Sequence, residues 1–199
     1  FKLFPMFKQW IIQKQNLPGI LIPFDDKIYF SGHHGHIIVF DTLAEAFSET
    51  GMKVPCGAGR EYLTHMNCAT PCGNGDFYCG TNADGILFRL DLANGKVVSL
   101  GWPVSENNIR ALAYNRDHVL WGISGLDSDV CHLFRYTPEE GFTDEGIMRA
   151  RMPKTWIIHR ADVMLIGLDG EIFIGENDDI SHLAVFLPPV RPWEKQQNF

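Results

Sequence analysis

Lys27-Ile28-Tyr29-Phe30-Ser31 is the first of four stretches that repeat one pattern; the others are Asp76-Phe77-Tyr78-Cys79-Gly80, His118-Val119-Leu120-Trp121-Gly122 and Glu171-Ile172-Phe173-Ile174-Gly175. Each stretch is short and mostly apolar, which predicts a β-strand. A polar loop leads from each of them to a second strand of the same character: Ile37-Ile38-Val39-Phe40-Asp41, Leu87-Phe88-Arg89-Leu90-Asp91, Leu133-Phe134-Arg135-Tyr136 and Leu183-Ala184-Val185-Phe186. The chain therefore contains four copies of one strand pair.

The spacing of the copies indicates the architecture. Ser31, Gly80, Gly122 and Gly175 end the first strands, so successive repeats are 49, 42 and 53 residues apart. One four-stranded blade of a β-propeller has about this length. Apolar stretches and tight turns on either side of each pair predict an inner and an outer strand. The sequence thus predicts an all-β protein, a β-propeller of four recognisable four-stranded antiparallel blades in one domain, at about 19–55, 62–101, 107–150 and 156–190.

The last repeat differs from the others at its end. Pro188-Pro189 and Pro192 interrupt the chain where the outer strand should form, because proline cannot donate to a β-ladder. The segment 1–18 could supply the missing strand and close a four-bladed ring. In the alternative, the chain is part of a larger ring of about seven or eight blades.

Composition and charge limit the classes of partner. The chain has 199 residues, of which 45% are hydrophobic, and a formal net charge of −7. This charge argues against nucleic acid, whose binding depends on clustered Lys and Arg. Every apolar run is shorter than the roughly 20 residues of a membrane span. The chain begins at Phe1 without a signal-peptide core, so we expect it to be a trimmed or partial chain.

Five cysteines leave the compartment open. Two of Cys56, Cys68 and Cys72 could form a disulfide in an oxidising compartment, so a secreted or periplasmic location is favoured. Cys79 lies within a strand repeat and Cys131 stands apart from the others. We expect both to be buried packing residues.

One end of the blades collects the polar residues. Loops between second and third strands lie at the same end of a propeller as the connections that enter each inner strand. The first of these loops contains His33, His34 and His36. The connections contribute Arg60, Tyr62, His65, Arg110, Trp156, His159 and Arg160. We expect these residues to surround one mouth of the central channel and to form a binding site there.

A divalent metal ion is a possible cofactor. His33 and His36 are three residues apart, so a turn could direct both imidazoles at one Zn- or Mn-type ion, with His65 and His159 completing the set. The acidic runs at 127–129 and 176–179 offer oxygen ligands of the kind that Ca²⁺ prefers. Equally, exposed histidines and solvated acidic turns explain both patterns.

The stretch Gly85-Ile86-Leu87-Phe88-Arg89-Leu90-Asp91-Leu92-Ala93-Asn94-Gly95-Lys96 resembles a β-propeller blade. Over residues 20–190 the chain is most similar to propeller enzymes that act on carbohydrate, in particular polysaccharide lyases. That resemblance implies a His base among His33, His34 and His36 and Tyr62 as the acid. It also implies Arg60 or Arg160 as a clamp for the carboxylate of a uronate.

Two classes of function follow. The first is a lyase that abstracts the proton beside a uronate carboxylate through a His base, with a cation stabilising the developing charge. The alternative is a binding or assembly module without catalysis, which presents the same face to a glycan or a protein and works as a homodimer or with missing partner blades. A four-bladed domain of hemopexin-like size with an ion in its channel is a third hypothesis.

Overall fold

A computed structural model describes residues 19–105, 108–125, 130–151, 155–177 and 181–188. These residues form seventeen strands and one short 3₁₀ turn at His33–Gly35. The strands are β1 Ile22–Phe24, β2 Lys27–Ser31, β3 His36–Asp41, β4 Ala46–Lys53, β5 Met66–Pro71, β6 Asp76–Thr81, β7 Leu87–Asp91, β8 Lys96–Gly101, β9 Ile109–Tyr114, β10 Leu120–Ser124, β11 His132–Thr137, β12 Gly141–Ile147, β13 Arg149–Arg151, β14 Thr155–Ile157, β15 Ala161–Ile166, β16 Ile172–Glu176 and β17 Leu183–Phe186.

The strands pair in chain order into antiparallel sheets. Strands β1 to β4, β5 to β8 and β9 to β12 form three four-stranded sheets, and β15 to β17 form a three-stranded sheet. We call these sheets blades 1 to 4. Strands β13 and β14 form a separate ribbon between blades 3 and 4. The predicted all-β propeller architecture is confirmed.

The sequence repeat coincides with the observed strands. β2, β7 and β17 begin and end at the predicted residues, and the other members of the strand pairs differ by one or two residues at an end. Blade 4 has three strands among the described residues, and the residues that would form an outer strand, from 189 onward, lie outside the described part. The predicted closing segment 1–18 lies outside the described residues. In the described part, no helix has the length and apolarity that a membrane span requires.

Blades 2 and 3 are apolar on both faces because each packs between two neighbours. One hydrophobic cluster joins blades 1 and 2, a second joins blades 2 and 3, and a third joins blades 3 and 4. Strand alternation divides each strand between two clusters: Cys79 faces blade 1, whereas Tyr78 beside it faces blade 3. Cys79 and Cys131 are both buried, as predicted. Stacked blades therefore place the same end of every sheet on one face of the molecule.

Candidate functional site at the channel mouth

An irregularity recurs at one end of the inner strands and directs polar side chains to that end of the blades, which corresponds to the predicted channel mouth. In blades 2, 3 and 4 the register of the inner strand shifts by one residue near its start. The extra residues of these bulges are Asn67, Arg110 and Asp162. A β-bulge leaves one residue unpaired and changes the direction of its side chain, and bulges are common beside functional sites. The three equivalent positions therefore supply polar groups to one place.

These bulge residues form two hydrogen-bonded groups, one between blades 2 and 3 and one between blades 3 and 4, which together we call the mouth network. The Asn67 amide donates to Asn108 Oδ1 at 3.0 Å and to the Ile109 carbonyl at 2.9 Å. Arg110 Nε donates to Asp162 Oδ1 at 2.7 Å, and the other oxygen of Asp162 accepts a bond from the Asn177 amide at 2.8 Å. Asn67, Asn108 and Asp162 are half-buried and Asn177 is exposed. The network is reachable from solvent and joins blades 2, 3 and 4.

Arg110 was predicted to bind substrate, and the structure places it in this network. Its side chain is buried, and its guanidinium forms an ion pair with Asp162, which is one-third exposed. A charged hydrogen-bonded pair of this kind is balanced, so little of the positive charge of Arg110 is available to an anionic ligand.

A second predicted cation, Arg60, is held in the same way. Its Nε lies 2.9 Å from Oδ1 of the buried Asp84, and a terminal nitrogen donates to the Ala83 carbonyl. The second oxygen of Asp84 accepts bonds from the Gly57 amide and the Thr64 hydroxyl. Asp84 therefore anchors the connection between β4 and β5, which carries the exposed Tyr62.

The predicted histidines do not converge. His33 and His34 are exposed in the 3₁₀ turn, with ring centroids 3.9 Å apart. His36 is half-buried and its Nδ1 lies 3.4 Å from Glu49 Oε2 on the outer strand of blade 1. The turn is tied to the β4–β5 connection by the bond from the Val54 amide to the Gly35 carbonyl, so His33 and His34 lie beside the loop of Tyr62.

The remaining predicted residues lie on the same face, but their contacts in the described part of the structure are with different partners and do not bring them to one site. His65 is half-buried, its pKa is lowered by burial, and its backbone amide donates to Asn82 Oδ1. The His159 carbonyl accepts a bond from the Cys131 thiol, and the Arg160 carbonyl accepts one from the backbone amide of Asn177. The side chain of Trp156 lies outside the described part.

The described residues contain no group of three or more His, Cys, Asp and Glu side chains that could hold a metal ion. His33, His36, His65 and His159 are therefore not brought together as a metal site. Of the acidic runs, 127–129 and 178–179 lie outside the described residues. Glu176 is buried and its Oε2 lies 2.8 Å from Nδ1 of His182.

The disulfide predicted among Cys56, Cys68 and Cys72 is not formed, since all five cysteines are free thiols. Cys68 lies within β5 and Cys72 directly follows that strand. Four residues of extended chain span about 13 Å, which exceeds the roughly 7 Å limit between the Cα atoms of a disulfide. The pair cannot be joined without breaking the strand.

A cleft that the sequence analysis did not predict opens between blades 3 and 4. Its volume is about 590 Å³ and it is lined by residues that include Met148, Arg149, Ile158, Glu176 and His182. The His182–Glu176 pair lies at the end of β16 that faces the mouth. The cleft therefore adds a concave, partly apolar surface beside the polar network.

Comparisons with known proteins support the fold. Neither a protein-family model nor a curated protein sequence matches the chain. Among solved structures, it is similar to streptogramin B lyase (TM-score 0.57, 16% identity, 86% of this chain and 55% of that one). It is also similar to the extracellular domain of the putative hybrid two component system BT4673 from B. thetaiotaomicron (TM-score 0.61, 18% identity, 84% of this chain and 21% of that one). The computationally designed Ika4 protein matches at TM-score 0.53 and 13% identity, over 85% of this chain and 91% of that one.

These structural neighbours show that the fold is a β-propeller. Because the sequence identities are below 20%, they give no information about function. The chain spans about half the length of streptogramin B lyase and about a fifth of the length of the BT4673 domain. Enzymes and binding modules both occur on this fold, so function must be inferred from the site.

Proposed function

We propose that the chain is a non-catalytic propeller module that binds a neutral, hydroxyl-rich ligand, such as an uncharged glycan, at the channel mouth. The observation that carries this proposal is the charge balance of the mouth network. Three asparagines, Asn67, Asn108 and Asn177, belong to its two hydrogen-bonded groups, together with one arginine and one aspartate that neutralise each other.

The chemistry of the asparagine side chain suits such a ligand. Each amide both donates and accepts hydrogen bonds, as each sugar hydroxyl does. A uronate would need a cation to offset its carboxylate. Arg60 and Arg110 are each paired with an aspartate, so binding an anion through either of them would mean breaking an existing ion pair.

Exposed aromatic side chains on the same face support the proposal. Tyr62 is 62% exposed on the β4–β5 connection, and Trp102 is 53% exposed directly after β8. Aromatic rings provide a large apolar surface with little conformational entropy to lose. Either ring can pack against the apolar face of a sugar while the amides bind its hydroxyls.

Calorimetric titration with neutral and with uronate-containing oligosaccharides tests this function. We expect saturable binding of a neutral glycan without product formation. Asn67→Ala and Asn177→Ala should each weaken binding by about tenfold, since one lost hydrogen bond costs about 1.4 kcal/mol. Asn74→Ala is the matched control because Asn74 is exposed in the β5–β6 turn at the opposite end. Binding that is unchanged in both mouth variants, or restricted to uronates, would contradict the proposal.

A lyase is the second candidate function, and one observation favours it. His33 and His34 are exposed beside the connection that carries Tyr62, so an imidazole base and a phenol lie on neighbouring loops. Such a pair can transfer protons to and from a bound polymer. The ultraviolet absorbance of unsaturated uronate products measures turnover. At least one of His33→Ala, His34→Ala and His36→Ala should abolish turnover. Wild-type rates in all three variants would exclude this candidate.

A further inference from the structure

The mouth ends of blades 2, 3 and 4 are built alike. In each blade the residue before the inner strand accepts, through its carbonyl oxygen, a hydrogen bond from the backbone amide of the residue after the second strand. The bulge residue of the inner strand comes two positions after that acceptor. The three bonds run from Asn82 to His65, from Gly125 to Asn108 and from Asn177 to Arg160. One structural element is therefore repeated three times around the mouth.

An aromatic residue accompanies each copy of this element in the sequence. Tyr62, Trp102 and Trp156 lie in the connections that enter the inner strands of blades 2, 3 and 4, at 5, 8 and 6 residues before the bulge residue. Tyr62 and Trp102 have exposed side chains. The two kinds of group that bind a sugar, a polar amide and an aromatic ring, thus recur blade by blade rather than once.

Two neighbouring junctions between blades present hydrogen-bonding groups to a ligand. Between blades 2 and 3, the Asn67 amide nitrogen donates to Asn108 Oδ1 and to the Ile109 carbonyl. Within the described residues, Asn67 Oδ1 and Asn108 Nδ2 form no bond of their own. Between blades 3 and 4, Asn177 Nδ2 donates to Asp162, and Asn177 Oδ1 has no donor in the described part of the chain. Each junction therefore presents an amide donor and an acceptor, as a sugar hydroxyl requires.

We propose that the ligand of the channel mouth is a linear glycan chain that occupies both junctions at once, with different sugars of the same chain at each. This inference rests on the proposed function and adds that the ligand is an oligosaccharide or polysaccharide rather than a single sugar. Repeated subsites match a ligand that itself repeats. Once one sugar is bound, the linkage makes binding at the second junction an intramolecular step, so affinity increases without any new kind of contact.

The spacing of the blades sets the length of chain that is needed. Inner strands β5 and β9 are in contact, and so are β9 and β15. Sheets that pack face to face are about 10 Å apart, so the two junctions are separated by roughly one blade spacing. A single sugar ring is shorter than this distance, whereas a short oligosaccharide can span it. We therefore expect affinity to increase with chain length until both junctions are reached and then to level off.

Calorimetric titration with neutral oligosaccharides of glucose, mannose and galactose tests the inference. Each series runs from the monosaccharide to chains of about six sugars, enough to cover the spacing of two blades. In the series that binds, we expect the longest chains to bind at least about tenfold more tightly than the monosaccharide. The wild-type series is decisive by itself, so the test does not depend on the folding of any variant.

Variants at the two junctions identify the subsites. Asn67→Ala and Asn177→Ala should each remove most of the gain with chain length, because one junction is then left to bind alone. Binding of the monosaccharide should fall by no more than about twofold, since the other junction is intact. Asn74→Ala, in the exposed turn at the opposite end, should leave the whole series unchanged. Circular dichroism spectra and melting curves check that all three variants fold.

Two results would overturn the inference while leaving the proposed function in place. One is a neutral glycan series in which affinity does not depend on chain length, which would indicate a single subsite. The other is a gain with length that neither Asn67→Ala nor Asn177→Ala reduces. A failure of all three series to bind at any length would instead contradict the proposed function, and this inference with it.

Discussion

Arg110 on β9 and Asp162 on β15 form an ion pair that joins blades 3 and 4 at the channel mouth, although 52 residues separate them in the chain. Both are bulge residues of inner strands. The pair is therefore at once part of the candidate site and part of the packing between two blades.

Removing the carboxylate should destabilise the protein. Asp162→Ala would remove the carboxylate that pairs with the buried guanidinium of Arg110 and that accepts a bond from the Asn177 side-chain amide. We expect the free energy of unfolding to fall by about 2 to 3 kcal/mol. Urea denaturation measures this change, with Asp117→Ala on the exposed β9–β10 turn as the control. A loss as small as that of the control would show that the ion pair contributes little.

Asp84 should control the order of the connection that carries Tyr62. Asp84→Ala removes the acceptor shared by Gly57, Thr64 and Arg60, so the loop loses three of its anchors. We expect trypsin to cleave after Arg60 at least about tenfold faster, because cleavage requires local opening. The control is Asp169→Ala, in the exposed β15–β16 turn. Equal cleavage rates in the wild type and Asp84→Ala would refute this role.

Gly122 on β10 should tolerate no side chain. A Cβ atom there would overlap the ring of Phe134, which is fully buried between blades 2 and 3. Gly122→Ala should lower the free energy of unfolding by about 1 to 3 kcal/mol through overpacking. Gly122→Ala should cost less stability when it is introduced into the Phe134→Leu variant than when it is introduced into the wild type, because the smaller side chain leaves room for the added methyl group. A double-mutant cycle with no coupling would contradict the predicted contact.

Alkaline pH should weaken the fold through buried thiols. Burial raises the pKa of the Cys68 thiol to about 12, whereas an unfolded thiol ionises near 8.5. The unfolded state therefore loses its proton first, and stability that is complete below about pH 8.5 declines as the pH rises toward the folded pKa. At about pH 10 the contribution of Cys68 to this loss is about 2 kcal/mol.

Urea midpoints at about pH 8 and about pH 10, with a reductant present, test the pH dependence. Cys68→Ala should show a smaller loss of stability on going to the higher pH than the wild type does. Cys56→Ala is the comparison, because Cys56 is less buried. The same decline in the wild type and Cys68→Ala would assign the effect to other groups.

Much of the fold could be predicted from the sequence because it depends on local patterns. Alternating apolar residues and tight turns place β2, β7 and β17 at their observed ends. The prediction that the fourth repeat lacks an outer strand falls on residues beyond 188, which lie outside the described part. The site was harder to predict. Arg60 and Arg110 were expected to face a ligand, but each is neutralised by an aspartate on another element.

The sequence does contain one signal for the bulge residues that the sequence-based prediction did not recognise as a group. Asn67, Arg110 and Asp162 are single polar residues between apolar neighbours, at the same place in three repeats. A regular strand would turn such a residue to one of the packed faces, so its recurrence indicates a bulge. Their hydrogen-bond partners Asn108 and Asn177 carry no comparable sequence pattern, because the packing of whole blades brings them into contact with the bulge residues.

Sequence alone was enough to predict the number of repeats, the strand positions and the end of the blades at which the polar loops collect. These features follow from strand periodicity and turn chemistry within a few residues. Tertiary packing, in contrast, sets which charges neutralise each other, the pairing of His36 with Glu49, and the exposure of the face of blade 4 that points away from blade 3. Those properties depend on bulges and on the stacking of sheets, which bring together residues that are far apart in the chain.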